Sequence, residues 1–376
     1  MSQFKVEVVK VGELERHPQA DTLSITTAQG CPLIVKSDSF WAGDNAVYIP
    51  IDAMVPVARP EFSFLANKDK PRTHERIKAK KLRGIFSMGI LVPVPKKPAR
   101  FYDNFLGIHR EYTIGEDLAG VLGVTKFEEE EEVQETGSHF SRLYRKWKWK
   151  LFGKKSGPRG AGNSHGIAAG PFPYYDLESA RHYGYLFDEN EEVVLTEKVH
   201  GQNGRWGWVD GNKWLVASHG SYKDPEGDSN WAHAAQLYNL KEKLSHYPNV
   251  VLYGEVFGVT KKGANIQHLT YGAKTTQLRI FDVYNLITQE WLSYDEMVAF
   301  VGAIGLDTVP VLYRGPWKGL PAHEALAEGE SAIAKHIREG WVARPASERN
   351  ADHFGRLVLK FVGQGYLLGN KRTEKH

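Results

Sequence analysis

Lys198 closes the run Val193-Val194-Leu195-Thr196-Glu197-Lys198-Val199-His200-Gly201-Gln202-Asn203-Gly204-Arg205. A β-branched stretch delivers a lysine to a turn that holds glycines and closely spaced polar side chains. Lysine is ordinarily a solvated surface residue. A lysine that follows a buried strand instead has its amine at the bottom of a cleft. An amine that is partly desolvated and flanked by cations has a depressed pKa and can attack an electrophile. The neighbouring glycines let bulky phosphates come close to the backbone. Read alone, Lys-x-His-Gly describes a surface lysine at a strand end equally well.

Further motifs follow it in order. Ala217-Ser218-His219-Gly220 ends the next predicted hairpin. Leu252-Tyr253-Gly254-Glu255-Val256-Phe257-Gly258 and Arg279-Ile280-Phe281-Asp282-Val283-Tyr284 come next. Glu339-Gly340-Trp341-Val342-Ala343-Arg344 precedes Val358-Leu359-Lys360-Phe361. Each is short, and their order and spacing make them specific together. Glu255 lies among apolar residues, where a carboxylate needs a partner or a metal. Core packing is the plain alternative for Phe281, as a structural salt bridge is for Glu255.

This order resembles the covalent nucleotidyltransferases, the polynucleotide ligases and messenger-RNA capping enzymes. The Thr-Glu-Lys-Val-His-Gly-x-Asn context and the strand-rich N-terminal region are most similar to the RNA ligases with an N-terminal OB domain. The resemblance implies that Lys198 attacks the α-phosphate of ATP and holds AMP through a phosphoramidate. AMP then passes to an RNA 5′-phosphate, and a 3′-hydroxyl displaces it. Each step shifts charge on phosphorus, so electrostatic clamps and a divalent ion, Mg²⁺ or Mn²⁺, are expected to dominate. By the same resemblance Lys360 stabilises charge on the α-phosphate. Glu255 contacts ribose or a metal-bound water, Glu339 stands near the metal, and Phe281 stacks on adenine. Glu197, Asn203, Arg205 and Ser218 complete the expected nucleotide-binding set. Three positions depart from the common pattern. His200 stands where many relatives carry aspartate, His219 where they carry arginine, and Val362 where they carry a second lysine.

The elements that must position these residues fall into three stretches. Residues 1–98 read as an OB-type β-barrel of short strands: Phe4 to Val11, Ser24 to Thr27, Leu33 to Lys36, Ala46 to Ile51 and Gly84 to Val92. His17 to Leu23 and Arg76 to Ile90 are similar to OB barrels of the transfer-RNA-binding kind. Lys78, Lys80, Lys81 and Arg83 cluster there and would suit phosphates, or form a solvated rim. Residues 99–170 read as a charged and Gly/Ser-rich connector. The acidic run Glu128 to Glu132 is a solvated face or loop. The basic stretch Arg142 to Lys155, with its interleaved tryptophans, is a loop, an amphipathic helix or a nucleic-acid contact. Residues 171–376 read as an α+β adenylyltransferase domain of antiparallel sheets and helices. Helices are expected over Trp231 to Leu244, Tyr294 to Ile304 and His323 to His336.

Composition narrows the rest. The 376 residues are 41% hydrophobic and 25% charged, enough for two cores. A net charge of +3 makes any basic surface local. The single cysteine, Cys31, excludes an intramolecular disulfide and any multi-cysteine metal site. No apolar run reaches the roughly 18 residues of a membrane span, and the N-terminus has no apolar signal core. An intracellular, cytoplasmic monomer is expected, with no membrane partner. His165, His233, His246, His268 and His323 show no metal-ligand spacing. The partner expected is a nicked duplex of RNA or an RNA/DNA hybrid, whose strand is A-form-like. A capping guanylyltransferase would use GTP and place its barrel after the catalytic domain. A DNA ligase would accept 3′-terminal DNA. A decayed catalytic domain would bind nicked duplex without forming an adduct.

Overall fold

A computed structural model describes residues 4–66, 72–97, 111–127, 170–351 and 354–369. The acidic run at 128–132 and the basic-aromatic stretch at 142–155 lie outside the described residues.

The N-terminal part is built from short strands: β1 (Glu7–Lys10), β2 (Leu23–Ala28), β3 (Cys31–Lys36), β4 (Asn45–Ile49), β5 (Ala53–Pro56), β6 (His74–Arg76), β7 (Lys80–Leu82), β8 (Ile85–Ser87), β9 (Ile90–Pro93) and β10 (Thr125–Lys126). The antiparallel sheets β1-β4-β9, β2-β3, β7-β8 and β10-β5-β6 wrap around two apolar clusters. The run expected as one strand from Gly84 to Val92 is broken into β8 and β9. Gly89 at the break has φ +114°, and a side chain there would strike the Ile49 carbonyl. Residues 111–127, which fall within the expected connector, pack in this core. Tyr112, Leu118, Leu122 and Val124 are buried against Val6, Val47 and Phe62, and Thr125–Lys126 pairs with Met54 and Ala53. Apolar spacing too short for a long strand or helix concealed this return of the chain.

The second part carries two facing sheets. The first has the order β11 (Glu178–Ser179), β19 (Leu359–Val362), β18 (Gly340–Pro345), β12 (Glu192–Lys198), β17 (Val311–Pro316). The second runs from Tyr222–Lys223 through β14 (Lys213–Ser218), β13 (Gln202–Val209), β15 (Val250–Gly258) and β16 (Thr276–Asn285) to Glu290–Trp291. Strand alternation sorts the side chains of β12. Val193 and Leu195 enter a cluster with Trp317, Trp341 and Phe361 on the outer face. Val194 enters the cluster between the sheets, with Trp206, Leu252, Val256 and Ile280. The helices α1 (Asn230–Leu237) and α2 (Tyr294–Ala303) add Trp231, Ala235, Met297 and Val301 to that inner cluster.

Two helical expectations change. The helix expected to Leu244 pauses after Leu237 because Asn239 adopts φ +51°, a left-handed conformation that asparagine tolerates. The helix expected from His323 to His336 ends as a short turn, Leu320–His323, followed by a 3₁₀ turn at Glu324–Ala327. Gly329 follows with φ +93°. The chain then folds back on itself, with the Ser331 N–H donating to the His336 carbonyl.

The short helix α3 (Gln364–Leu367) follows β19 directly. Val362, Tyr366 and Leu367 leave the second part and pack in the barrel cluster with Val9, Leu33, Phe40, Tyr48 and Met88. The apolar cluster of the barrel is therefore completed by α3.

Candidate active site

Register places the nucleophile candidate. Lys198 pairs with Gly340 on β18, which pairs with Val362 on β19. Thr196 pairs with Val342, which pairs with Lys360. Directly paired residues share a sheet face, so Lys198 and Lys360 rise from the same inner face. Gly340 is required in that row, because a side chain there would run into the Phe361 carbonyl. Lys360 is only 2% exposed.

Lys198 is held by an acid. Its Nζ lies 2.6 Å from Glu339 Oε1, and Glu339 is fully buried. The amine expected among cations is in fact paired with a carboxylate. Burial by itself would raise the Glu339 carboxyl. Lys198 and His200 outweigh it and hold the group below the usual glutamate value. Glu339 Oε2 is 3.3 Å from His200 Nδ1 without a well-aligned hydrogen bond.

Glu255 reaches the same place from the second sheet. It pairs with Asn203 across β15 and β13. A Cβ on Gly201 would stand 2.9 Å from Glu255 Cγ, so the turn after the nucleophile lies directly on this glutamate. The Asn203 side-chain oxygen is buried without a hydrogen-bond partner. Phe281, half-buried on β16, packs 5.0 Å from the Tyr175 ring and borders the cluster of Val199, Phe257 and Tyr271.

Other expected residues are engaged by the protein. Arg205 is buried, and its donors go to the carbonyls of Ser218, His219, Phe172 and Pro173 at 2.7–3.3 Å. It therefore straps the segment entering the domain. Ser218 Oγ lies 3.3 Å from both the Ser221 carbonyl and its hydroxyl. Glu197 alternates to the outer face and accepts the Ala332 N–H at 2.7 Å, leaving Oε1 buried without a partner. Val362 explains the missing second lysine. The position is packed against the barrel, where an ammonium would lose its water.

Sequence spacing gave no sign of three further residues. Tyr271 accepts the His200 N–H at 2.6 Å, and burial pushes its phenol well above the usual value. His268, dismissed among scattered histidines, lies with Nδ1 3.0 Å from His200 Nε2. The Tyr366 hydroxyl is 2.9 Å from His200 Nδ1. Only the left-handed backbone of Tyr271, φ +56°, marks one of them as unusual, and that is invisible in sequence.

In the barrel, Lys78, Lys80, Lys81 and Arg83 are all exposed. The two stretches singled out by sequence meet: His17 Nε2 lies 3.1 Å from the Leu82 carbonyl, and Arg83 donates to the Gln19 carbonyl at 2.5 Å. Among the described residues, no three His, Cys, Asp or Glu side chains converge to cage a metal. Magnesium at phosphate sites commonly takes one or two carboxylates and fills its shell with water and phosphate oxygens. Glu339, whose buried Oε2 makes no well-aligned hydrogen bond, and Glu255 beside the loop fit that manner of binding.

A lysine at the end of an interior strand, preceded by an OB-type barrel, is the arrangement that the resemblance to nucleotidyltransferases of the ligase kind implies. The RNA ligase family model matches residues 191–362, and a PHA02142 OB-fold domain model matches residues 5–94. Residues 191–362 belong to the RNA ligase family, and an OB-fold domain stands ahead of them. No curated protein matches it. Solved structures of Naegleria gruberi RNA ligase share its fold. The one with PPi is 19% identical, covers 97% of this chain and 98% of its own, and has a TM-score of 0.72. A glutamate-to-alanine mutant with ATP and Mn gives the same values. A lysine-to-methionine mutant with AMP and Mn is 19% identical, covers 96% and 97%, and has a TM-score of 0.72. No helix among the described residues is long and apolar enough to cross a membrane.

Proposed function

We propose that this RNA ligase is ATP-dependent and seals 3′-hydroxyl/5′-phosphate nicks in duplex RNA or RNA-containing hybrids. The observation that carries the reading is the Lys198–Glu339 pair at the end of β12, with Lys360 buried on the same sheet face. That the Naegleria ligase has been solved with ATP, AMP and Mn supports the choice of nucleotide and of a divalent ion.

Lys198 Nζ attacks the α-phosphorus of ATP, a nitrogen–phosphorus bond forms, and pyrophosphate leaves. Attack requires the neutral amine, and Glu339 is the acceptor 2.6 Å away for its proton. Lys360 supplies fixed positive charge to the oxygens on which charge gathers. Phe281 offers a face for adenine, backed by Tyr175. Glu339 and Glu255 would hold a divalent ion, which when bound neutralises charge on the polyphosphate and the departing pyrophosphate. AMP then moves from Lys198 to the RNA 5′-phosphate, forming a phosphoanhydride and freeing the amine. The 3′-hydroxyl attacks that 5′-phosphate and AMP leaves. The exposed Lys78, Lys80, Lys81 and Arg83 would grip the duplex backbone. The domains are 1–98 with the return segment 111–127, a connector, and the catalytic part from 171 onward.

Incubation with α-labelled ATP and Mg²⁺ or Mn²⁺ tests this reading. Wild-type protein should retain covalent label, and Lys198→Ala should retain none. Label that persists in the variant removes Lys198 as nucleophile. Label from GTP alone would redirect the reading to a capping enzyme. Nick sealing with RNA or DNA varied on each strand then fixes the substrate.

A further inference from the structure

Tyr366 stands where the barrel meets the nucleophile. It is fully buried, and its ring belongs to the barrel cluster of Val9, Leu33, Phe40, Tyr48 and Met88. Its hydroxyl lies 2.9 Å from His200 Nδ1. The helix that carries it is anchored at the site as well. The Gly363 N–H donates to the Glu339 carbonyl at 2.9 Å, and the Gln364 and Gly365 N–H groups donate to the Glu328 carboxylate at 2.6 and 3.2 Å.

His200 is gripped on every side. Its N–H goes to the Tyr271 hydroxyl, its Nε2 meets His268 Nδ1, and its Nδ1 lies between the Tyr366 hydroxyl and Glu339 Oε2. The path from the barrel core to the reacting amine is therefore Tyr366, His200, Glu339, Lys198, with no gap above 3.3 Å.

We propose that Tyr366 is a positioning residue for the nucleophile. Through it the seated barrel fixes the His200 ring and leaves Glu339 free to aim Lys198. The barrel then serves the RNA-independent adenylylation step, besides holding RNA. This rests on the reading of Lys198 as the nucleophile. The physical argument is one of hydrogen-bond competition. A Tyr366 hydroxyl that donates to Nδ1 places the neutral ring's proton on Nε2, where it is donated to His268. Without the hydroxyl the ring can carry its proton on Nδ1 and donate to Glu339 Oε2. The carboxylate is then drawn toward His200 and its hold on Lys198 is reoriented. The seating of α3 in the barrel is what keeps the hydroxyl in place.

The experiment is single-turnover formation of labelled adduct by the full chain, without nucleic acid, across ATP concentrations. Tyr366→Phe should slow the rate constant about 10- to 100-fold, the range in which small misplacements act. Half-saturating ATP and the thermal unfolding midpoint should stay at wild-type values. The double variant Tyr366→Phe/His200→Ala should be no slower than His200→Ala alone, because both lie on one path. Leu367→Ala, which loosens α3 in the barrel without touching the site, should slow the same step. A wild-type rate in Tyr366→Phe, or fully additive losses in the double variant, overturns the inference. If Leu367→Ala reacts at the wild-type rate, the barrel's part in it is overturned. Absence of adduct from the wild-type chain would instead sink the reading of Lys198 itself, so the two failures are distinguishable.

Discussion

Two lysines on one sheet face do different work. Lys198, at the strand end, is partly exposed and paired with Glu339, so it is both accessible and aimed. Lys360 lies one row back and is almost fully buried, suited to act as a fixed charge rather than a moving group. Lys360→Met keeps the length and packing of the chain and removes the charge. Adduct formation should fall about 10²- to 10³-fold, the scale on which preorganised charge acts. The unfolding midpoint should hold or rise, since a buried ammonium is costly. Rates and melting curves on the same preparation check both halves. The sequence singled out Lys198, Lys360, Glu255 and Glu339 through the ordered motifs and the family resemblance they carry. It gave no hint of Tyr271, His268 or Tyr366, which come to His200 across separations of 71, 68 and 166 residues.

At the scale of elements, the two sheets are pinned by a buried ionic cluster. Asp282, on β16, is fully buried and bonded by Tyr175 at 2.9 Å and by Arg356 at 2.7 Å. Arg344, on β18 of the other sheet, reaches it at 3.3 Å and also pairs with Glu348. Burial would raise the Asp282 carboxyl, and Arg344 and Arg356 reverse that and leave it below the usual value. A depressed carboxyl stabilises the fold above its unfolded pKa, and the contribution is lost as pH falls through the folded one. Wild-type stability should therefore decline on acidification below about pH 4. Asp282→Asn should cost about 3–5 kcal/mol at neutral pH, because it removes the buried carboxylate shared by two arginines and leaves them only Glu348. It should also flatten the acid limb, as chemical denaturation at several pH values would reveal. Strand periodicity made β12 legible: it ends at Lys198, where the β-branched run from Val193 delivers the lysine. The expected helix to His336 failed because Gly329 and the hydrogen bond from the Ala332 N–H to the Glu197 carboxylate hold an irregular return. Apolar spacing cannot register such tertiary anchors.

For the whole molecule, the barrel and the second part also meet at a seam formed by the turn after β2. Gly30 turns between β2 and β3 with φ +70°, and a side chain there would meet the Arg181 carbonyl of the other part. Cys31 Sγ lies 3.5 Å from His182 Nε2 at the same seam. Gly30→Ala combines backbone strain with a clash, a loss of about 2–4 kcal/mol. It should lower the melting temperature and weaken adduct formation together if the barrel seats the site. A lower melting temperature with an unchanged adenylylation rate would show the seam to be purely structural.

The sequence by itself determined the strand-rich start, the α+β remainder and the ordered lysines and carboxylates, because alternation and motif spacing are local properties of a chain. Only the tertiary structure decided that Glu339 would clasp Lys198, that Arg205 would spend its donors on backbone carbonyls, and that position 362 would be sealed beneath the barrel. Those outcomes depend on which surfaces lose water to one another, and that is settled by packing between segments far apart in sequence.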